Sequence, residues 1–417
     1  MELDKDTFCQ PAAVAASIER DAAPTLWHAF RALSFTRSFY LRNHLLVGFC
    51  ASSVVALAWP LPGRVLYAPA VAGVHVLPFV AVALVFFISG LTLKTDELRT
   101  AFTRRAAAGT LFGLVSILGI TPLLGFGLRL LPLQPVELVV GLVVVAVVPT
   151  SLGVGIALAA MGKGNVGLAI FLTVASNILG IALVPLWLSG MLNTPGSPIH
   201  SSSSSSTNGS AAAGQLQSSI HINVADMFVK LLLSNLAPTL LGKLLRERSA
   251  AVRSWVGRSG TLLAVLSSSC LSLISWLSLS SARDPVVRTE FGAMLVVLAI
   301  SGLQHAAYLA FNAGCVWLLR LQPPEAVSTV LLASMKAPPV AFTVITYMTP
   351  DPVLQGLLAV PSIAGGLLSV FIDQPLANYY AAQVTQWQED HLPPADMTAE
   401  VSSSSDADSK SGRGTSV

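Results

Sequence analysis

The sequence predicts an all-α polytopic membrane protein: ten transmembrane helices in two inverted five-helix repeats, two of them broken midway. Three observations predict it. The 417 residues are 53% hydrophobic and only 11% charged, against roughly 25% charged in a soluble domain. The apolar surplus falls in blocks of ~17–25 residues, long enough to cross a bilayer. Two of these blocks, in corresponding places of the two halves, are interrupted: by Pro149-Thr-Ser-Leu-Gly-Val-Gly155 and by Ser334-Met-Lys-Ala-Pro-Pro339. An unwound backbone at membrane depth must find new hydrogen-bond partners, so matched breaks point to a buried binding site.

In the first half the spans are read at 44–60, 70–92, 107–131, 136–161 and 166–190, and in the second at 224–245, 259–280, 290–318, 326–348 and 353–374. Residues 1–43 are a cytoplasmic tail, 44–191 the first repeat, 192–222 a Ser-rich outer loop, 223–376 the second repeat, and 377–417 a disordered tail. The acidic start of the tail argues against a transit peptide. Residues 27–42 interleave aromatics with Arg31, Arg37 and Arg42 and read as interfacial anchoring. The run Ser201 to Ser206 is too polar to pack, and Asn208-Gly-Ser210 after it is a glycosylation sequon.

With the N-terminus inside, fourteen Lys and Arg residues fall in inner loops and four (Arg64, Arg129, Arg283, Arg288) in outer ones. This asymmetry places both termini on the cytoplasmic face, or the stromal face of a plastid. Five spans per half insert the second half upside down relative to the first, the arrangement that gives alternating access. Cys9, Cys50, Cys270 and Cys315 show no metal-ligand spacing and read as small packing residues.

At the first break Pro149 cannot donate a hydrogen bond, Gly153 and Gly155 free the chain, and Thr150 and Ser151 add hydroxyls. Span five brings Thr173, Ser176 and Asn177 onto one helical face, where their oxygens suit a Na⁺ ion or hydrogen bonds between spans. At the second break Lys336, flanked by Ser334, Ala337 and Pro338, is the one cation near the middle of a predicted span. A charge there costs roughly 2.5–3.5 kcal/mol or more and should face a paired or water-filled site. Lys230 lies four residues after Asp226 and reads as an exposed ion pair. His75, His305 and Gln304 fall in spans, the histidines as packing or proton-relay groups, with Tyr308 and Asn312 extending a polar stripe. Glu137, Glu290, Glu325 and Asp351 lie at span ends. With no HExxH, no Walker loop and no pair of membrane aspartates, neither an enzyme nor an ATP-driven pump is indicated. No cofactor or nucleic-acid partner is expected.

The stretches Phe87-Ile-Ser-Gly-Leu-Thr-Leu-Lys94-Thr-Asp-Glu97, Pro149-Thr-Ser with Gly164-Asn-Val and Thr173-Val-Ala-Ser-Asn-Ile-Leu-Gly180, and Ser334-Met-Lys-Ala-Pro-Pro-Val340 together resemble the bile acid:sodium symporter superfamily in its SBF-like branch. The resemblance covers about residues 44–376. It implies a panel domain and a core domain, with spans four and nine crossing in the core, and symport of organic anions with Na⁺. It places Thr150 to Gly155, Thr173, Ser176 and Asn177 at the first Na⁺ site, and Lys336 where a glutamine serves the second. Members of the superfamily carry a glutamate one turn earlier in span nine, where this chain has Leu331, Leu332 and Ala333. The expectation is that the Lys336 ammonium stands in the second cation position, leaving coupling to one Na⁺ or to a proton on the lysine. The alternative is a non-transporting regulatory protein that keeps the fold. Relatives of this branch occur in plastid envelopes and in plasma or secretory membranes, and both addresses stay open.

Overall fold

A computed structural model of the chain describes residues 44–71, 74–93, 104–151, 153–193 and 223–391. The N-terminal tail, the Ser-rich loop with Asn208, residues 94–97 of the span-two motif and Cys9 lie outside these residues. Helix α1 (His44–Ala58) meets α2 (Pro60–Tyr67) at a 98° bend. Pro60 opens α2 and Trp59 before it is non-helical at φ −139°, as proline requires of its predecessor. A two-residue hairpin, Ala70–Val71 against Val74–His75, then replaces the helical start expected at residue 70. Helix α3 is therefore only Val76–Thr92.

Helices α4 (Arg104–Val115) and α5 (Thr121–Leu128) are joined through one π turn, Ser116–Ile120. Its cause is Pro122, which has no N–H for the Leu118 carbonyl. Trp187 Nε1 donates to that carbonyl instead, at 2.9 Å. The chain continues as α6 (Val136–Val147), α7 (Val154–Met161) and α8 (Val166–Leu192). Asn165 caps α8 by accepting from the Leu168 N–H. A second π turn, again just ahead of a proline, joins α9 (Val224–Leu231) to α10 (Ala237–Arg248). After α11 (Ala250–Arg258) come α12 (Gly260–Ser281), α13 (Arg283–Arg288), α14 (Phe291–Leu318), α15 (Pro323–Ser334), α16 (Pro338–Met348) and α17 (Pro352–His391).

Seven helical runs among the described residues are long and apolar enough to cross a membrane, or eight if the bent α1–α2 pair is one span. The other expected spans fall on shorter apolar helices, α3 and α6. The last helix exceeds its expected length. It runs to His391 rather than 374, so residues 377–391, expected in the disordered tail, are helical. Ala377 and Val384 are buried there, which supplies the packing that propensity alone would not.

Two packed groups emerge, joined where α12 lies against α17, with Gly356 on the Ser278 carbonyl. Helix α3 lies against α10 and α12, with α2 on α12, whereas α4, α6, α7 and α8 pack with α14, α15 and α17. In the first group α3 and α10 approach backbone to backbone: Gly90 faces the Thr239 carbonyl and Gly242 faces the Phe87 carbonyl, the small-residue contact favoured between membrane helices. The Lys230–Asp226 ion pair, at 2.6 Å, is exposed as expected. Cys270 is buried, but Cys50 is exposed, so the packing role expected of all the cysteines does not extend to it. In the second group most of the α15–α16 run is buried, whereas little of α9–α10 is. The broken segment is thus central, and the outer apolar faces, with Leu233, Leu241, Leu303 and Trp317 exposed, suit lipid contact.

Candidate functional site

The two breaks meet. Helix α6 closes with the Val148 N–H on the Val144 carbonyl, and α15 closes with the Met335 N–H on the Leu331 carbonyl. Beyond these points the chain is extended at Val148, Met335 and Ala337, and Gly153 takes φ +78°, a left-handed conformation that suits glycine. Three successive carbonyls freed from α6 each gain a donor from another element. Val148 accepts from Lys336 Nζ at 3.1 Å, Pro149 from the Ala337 N–H at 2.9 Å, and Thr150 from Asn177 Nδ2 at 3.2 Å. The Thr150 hydroxyl reciprocates by donating to the Leu332 carbonyl. Gly155 packs on Leu332 and Gly180 on Pro149, so side chains at either glycine would push the crossing apart.

Lys336 is half-buried in this crossing. Its ammonium also donates to Thr121 Oγ1 at 2.9 Å and sits 5.3 Å from the centre of the Tyr308 ring. Both α6 and α15 end here, so the partial negative charge of two helix C-termini converges on the cation. Carbonyl and hydroxyl oxygens around a positive charge are the ligand types that hold a sodium ion, and here the charge is tethered. Thr121 was not singled out in the sequence; its signal is the Thr-Pro step in mid-span that also creates the π turn.

The remaining residues expected at the site divide into two sets. Thr150, Ser151, Thr173 and Ser176 are buried with Asn177 beside the first break. The Thr173 hydroxyl donates to the Ala169 carbonyl and the Ser176 hydroxyl to the Thr173 carbonyl, which leaves oxygen lone pairs available. Asn177 Nδ2 serves the Thr150 and Thr173 carbonyls, and its Oδ1 is a buried acceptor with no donor. An orphaned acceptor among hydroxyl oxygens fits a cation. Ser334 lies on the other side. Its hydroxyl accepts from Asn312 Nδ2 at 3.0 Å, and Asn312 Oδ1 accepts from Ser116 at 2.6 Å. Pro338 borders a cleft beyond Lys336.

One residue beside that cleft was not among the expected site residues. Four acids lie at expected span ends, and a fifth, Asp373, has no role assigned from the sequence. Asp373 is 0% exposed and pairs with His305 Nε2 at 2.8 Å. His305 in turn lines the cleft with Lys336. The aspartate was passed over because span ten was ended at 374, which placed Asp373 at a boundary rather than inside a longer helix. His75, by contrast, has the packing role expected, with Nδ1 2.8 Å from the Tyr67 carbonyl oxygen.

The cleft beside Lys336 encloses about 30 Å³, room for a few water molecules at most. A larger cavity of about 770 Å³ lies between α2 and α13 on one side and α6 and the start of α17 on the other. Arg64, Arg288, Glu137 and Asp284 line it. Arg64 hydrogen-bonds Asp284 at 2.8 Å, which holds that carboxyl below the usual carboxylate range. This volume falls in the range of small-molecule sites.

Comparison with known proteins agrees with this architecture. The signature of the SBF-like CPA transporter family matches residues 43–382. The chain is 31% identical over 303 residues to "Probable sodium/metabolite cotransporter BASS4, chloroplastic" of Arabidopsis thaliana, covering 71% of this chain and 64% of that relative. It is 29% identical over 313 residues to the protein of the same name in Oryza sativa subsp. indica, covering 73% of this chain and 68% of that relative. The chain thus spans about two thirds of the length of the curated relatives it matches.

Proposed function

Because this integral membrane protein belongs to the SBF-like CPA transporter family, a family of transporters and not of enzymes, we propose that it is a secondary transporter coupling Na⁺ to the movement of a small organic anion. The observation that carries the reading is the crossing itself: two broken helices whose freed carbonyls are taken up by Lys336, Ala337 and Asn177. In this reading the seven long helical runs, the bent α1–α2 pair, α3 and the α6–α7 pair make ten spans, in two inverted repeats of five. Rocking of the α3–α10–α12 group against the other would alternate access. The names of the plant relatives, sodium/metabolite cotransporters, support the Na⁺ coupling.

Na⁺ binds at Thr150, Ser151, Thr173, Ser176 and Asn177, where the Asn177 Oδ1 supplies the missing ligand. Lys336 supplies a permanent second cation, so one Na⁺ suffices. The anion enters through the cavity lined by Arg64 and Arg288, which alone of the two spaces is large enough for it. Both termini face the cytoplasm or stroma.

Asn177→Ala removes the orphaned acceptor and should abolish stabilisation by Na⁺. At ~100 times its Kd, the ion should stabilise the wild type by ~2.7 kcal/mol. Thermal melts in Na⁺ against K⁺ at equal ionic strength check this, and equal Na⁺ responses in both proteins would refute the site. Uptake of labelled carboxylates into liposomes, driven by a Na⁺ gradient, tests the transport itself. A folded, Na⁺-binding protein that moves no anion would instead favour the regulatory reading, to which the apolar Leu331, Leu332 and Ala333 already lend weight.

A further inference from the structure

The cleft beyond Lys336 contains an unusual set of unsatisfied groups. Ser301 Oγ and Gln304 Oε1 on α14, with Ser362 Oγ and Asp373 Oδ2 on α17, are all buried polar atoms lacking a hydrogen-bond partner. Their residues are at most 4% exposed. Ser301, Gln304 and Ser362 line the cleft directly, and Asp373 reaches it through His305. Leaving such atoms dry is costly, so several along one polar track imply water between them. At about 30 Å³ the space admits waters but no organic anion.

We propose that His305 and Asp373 form a proton-binding site, connected by water along this cleft to Lys336. His305 Nε2–H donates to Asp373 Oδ1 at 2.8 Å, leaving Nδ1 to accept. A hydronium in the cleft passes its proton to Nδ1 and leaves as water, and the pair changes from a net charge of −1 to 0. While the pair is unprotonated its carboxylate balances the Lys336 ammonium. Once it is protonated the track carries an uncompensated positive charge, so proton loading opposes a cation at the crossing.

The titratable groups around this pair and its track are few. Lys336 faces the track from the second break and Tyr308 from α14, and Tyr380 on α17 feels the Asp373 charge. From the other packed elements, Glu137 of α6 and the charged residues of α13 belong to the large cavity at the far end of α17. Glu325 of α15 accepts from Asn165, Tyr347 of α16 lies by Lys230, α12 brings Cys270, and α7 brings none.

The proposal does not depend on Na⁺ coupling or on the identity of the anion, and its test uses neither. Purified full-length protein in weak buffer is taken from about pH 8 to about pH 5, the range in which histidine titrates, and the protons bound are counted with an indicator dye. The wild type should take up about one proton more per chain than Asp373→Asn, and than the variant carrying both Asp373→Asn and His305→Gln. Asparagine keeps an oxygen to accept from His305, so the fold is expected to survive. Equal uptake by folded wild type and variants overturns the proposal. Should the variants carrying Asp373→Asn not fold, the ¹⁵N-imidazole NMR spectrum of the wild type decides, read against the separate single variant His305→Gln, which keeps the aspartate. The His305 signal, assigned by its absence in His305→Gln, must move from neutral to imidazolium over the same range. A His305 signal that stays neutral throughout overturns the proposal as well.

Discussion

Replacing Lys336 with alanine is expected to cost about 2–3 kcal/mol of stability and to abolish transport. The ammonium is the donor on the Val148 carbonyl and the Thr121 hydroxyl. Its loss leaves a buried acceptor unpaired at the meeting point of two helix C-termini, and charge-assisted hydrogen bonds of this type contribute roughly 1.5–3 kcal/mol. Lys336→Gln separates the charge from the packing. If the lysine is a tethered cation, Na⁺ at ~100 times its Kd should restore ~2.7 kcal/mol to this variant through the vacated position. That gain comes in addition to any response of the Asn177 site, and it should persist in the Lys336→Gln, Asn177→Ala double variant. Thermal melts in Na⁺ against K⁺ measure both terms. A double variant indifferent to Na⁺ would show that the lysine is a structural donor and not an ion surrogate.

The second large effect lies in the other group. Gly90→Ala and Gly242→Ala should each destabilise the protein by about 1–3 kcal/mol, because a Cβ at either position runs into a main-chain carbonyl that cannot rotate away. Gly314→Ala on α14, where an added Cβ would meet no atom within 4 Å, should instead gain up to about 1 kcal/mol from helix propensity. The three substitutions are chemically identical, so melting temperatures that move the same way in all of them would rule out the backbone approach of α3 and α10.

The sequence was most legible where a physical rule left few alternatives. A lysine in mid-span had to face a paired or wet site, and Lys336 does. Matched proline and glycine breaks had to be re-satisfied from neighbouring elements, and the carbonyls of residues 148 to 150 are. The polar stripe on α14 was visible from spacing, and Gln304, Tyr308 and Asn312 are hydrogen-bonded to one another or across to α5 and α15. Legibility failed where hydropathy alone set a boundary. It stopped α17 at 374, because residues beyond it are polar on one face, and so hid Asp373 inside a helix that continues for eighteen more residues. It also extended α3 back to residue 70, since a two-residue hairpin as apolar as Ala70–Val71 has no signature distinct from a helix. Thr121 escaped because its importance depends on Lys336 and Tyr308, partners remote in sequence.

The length of α17 has a mechanical consequence. At ~1.5 Å per residue its forty residues reach ~60 Å, about twice the hydrocarbon thickness of a bilayer. Set along the membrane normal, roughly half of the rod stands clear of the hydrocarbon. Its far end is also braced, because Lys163 in the turn between α7 and α8 donates to Thr385 at 2.7 Å. A tilt of the buried portion is carried to such a tip: about ten degrees over a ~30 Å arm sweeps ~5 Å. The projecting end is thus a reporter for the helix that packs on both broken segments, showing its tilts as displacements that a pair of spin labels can resolve.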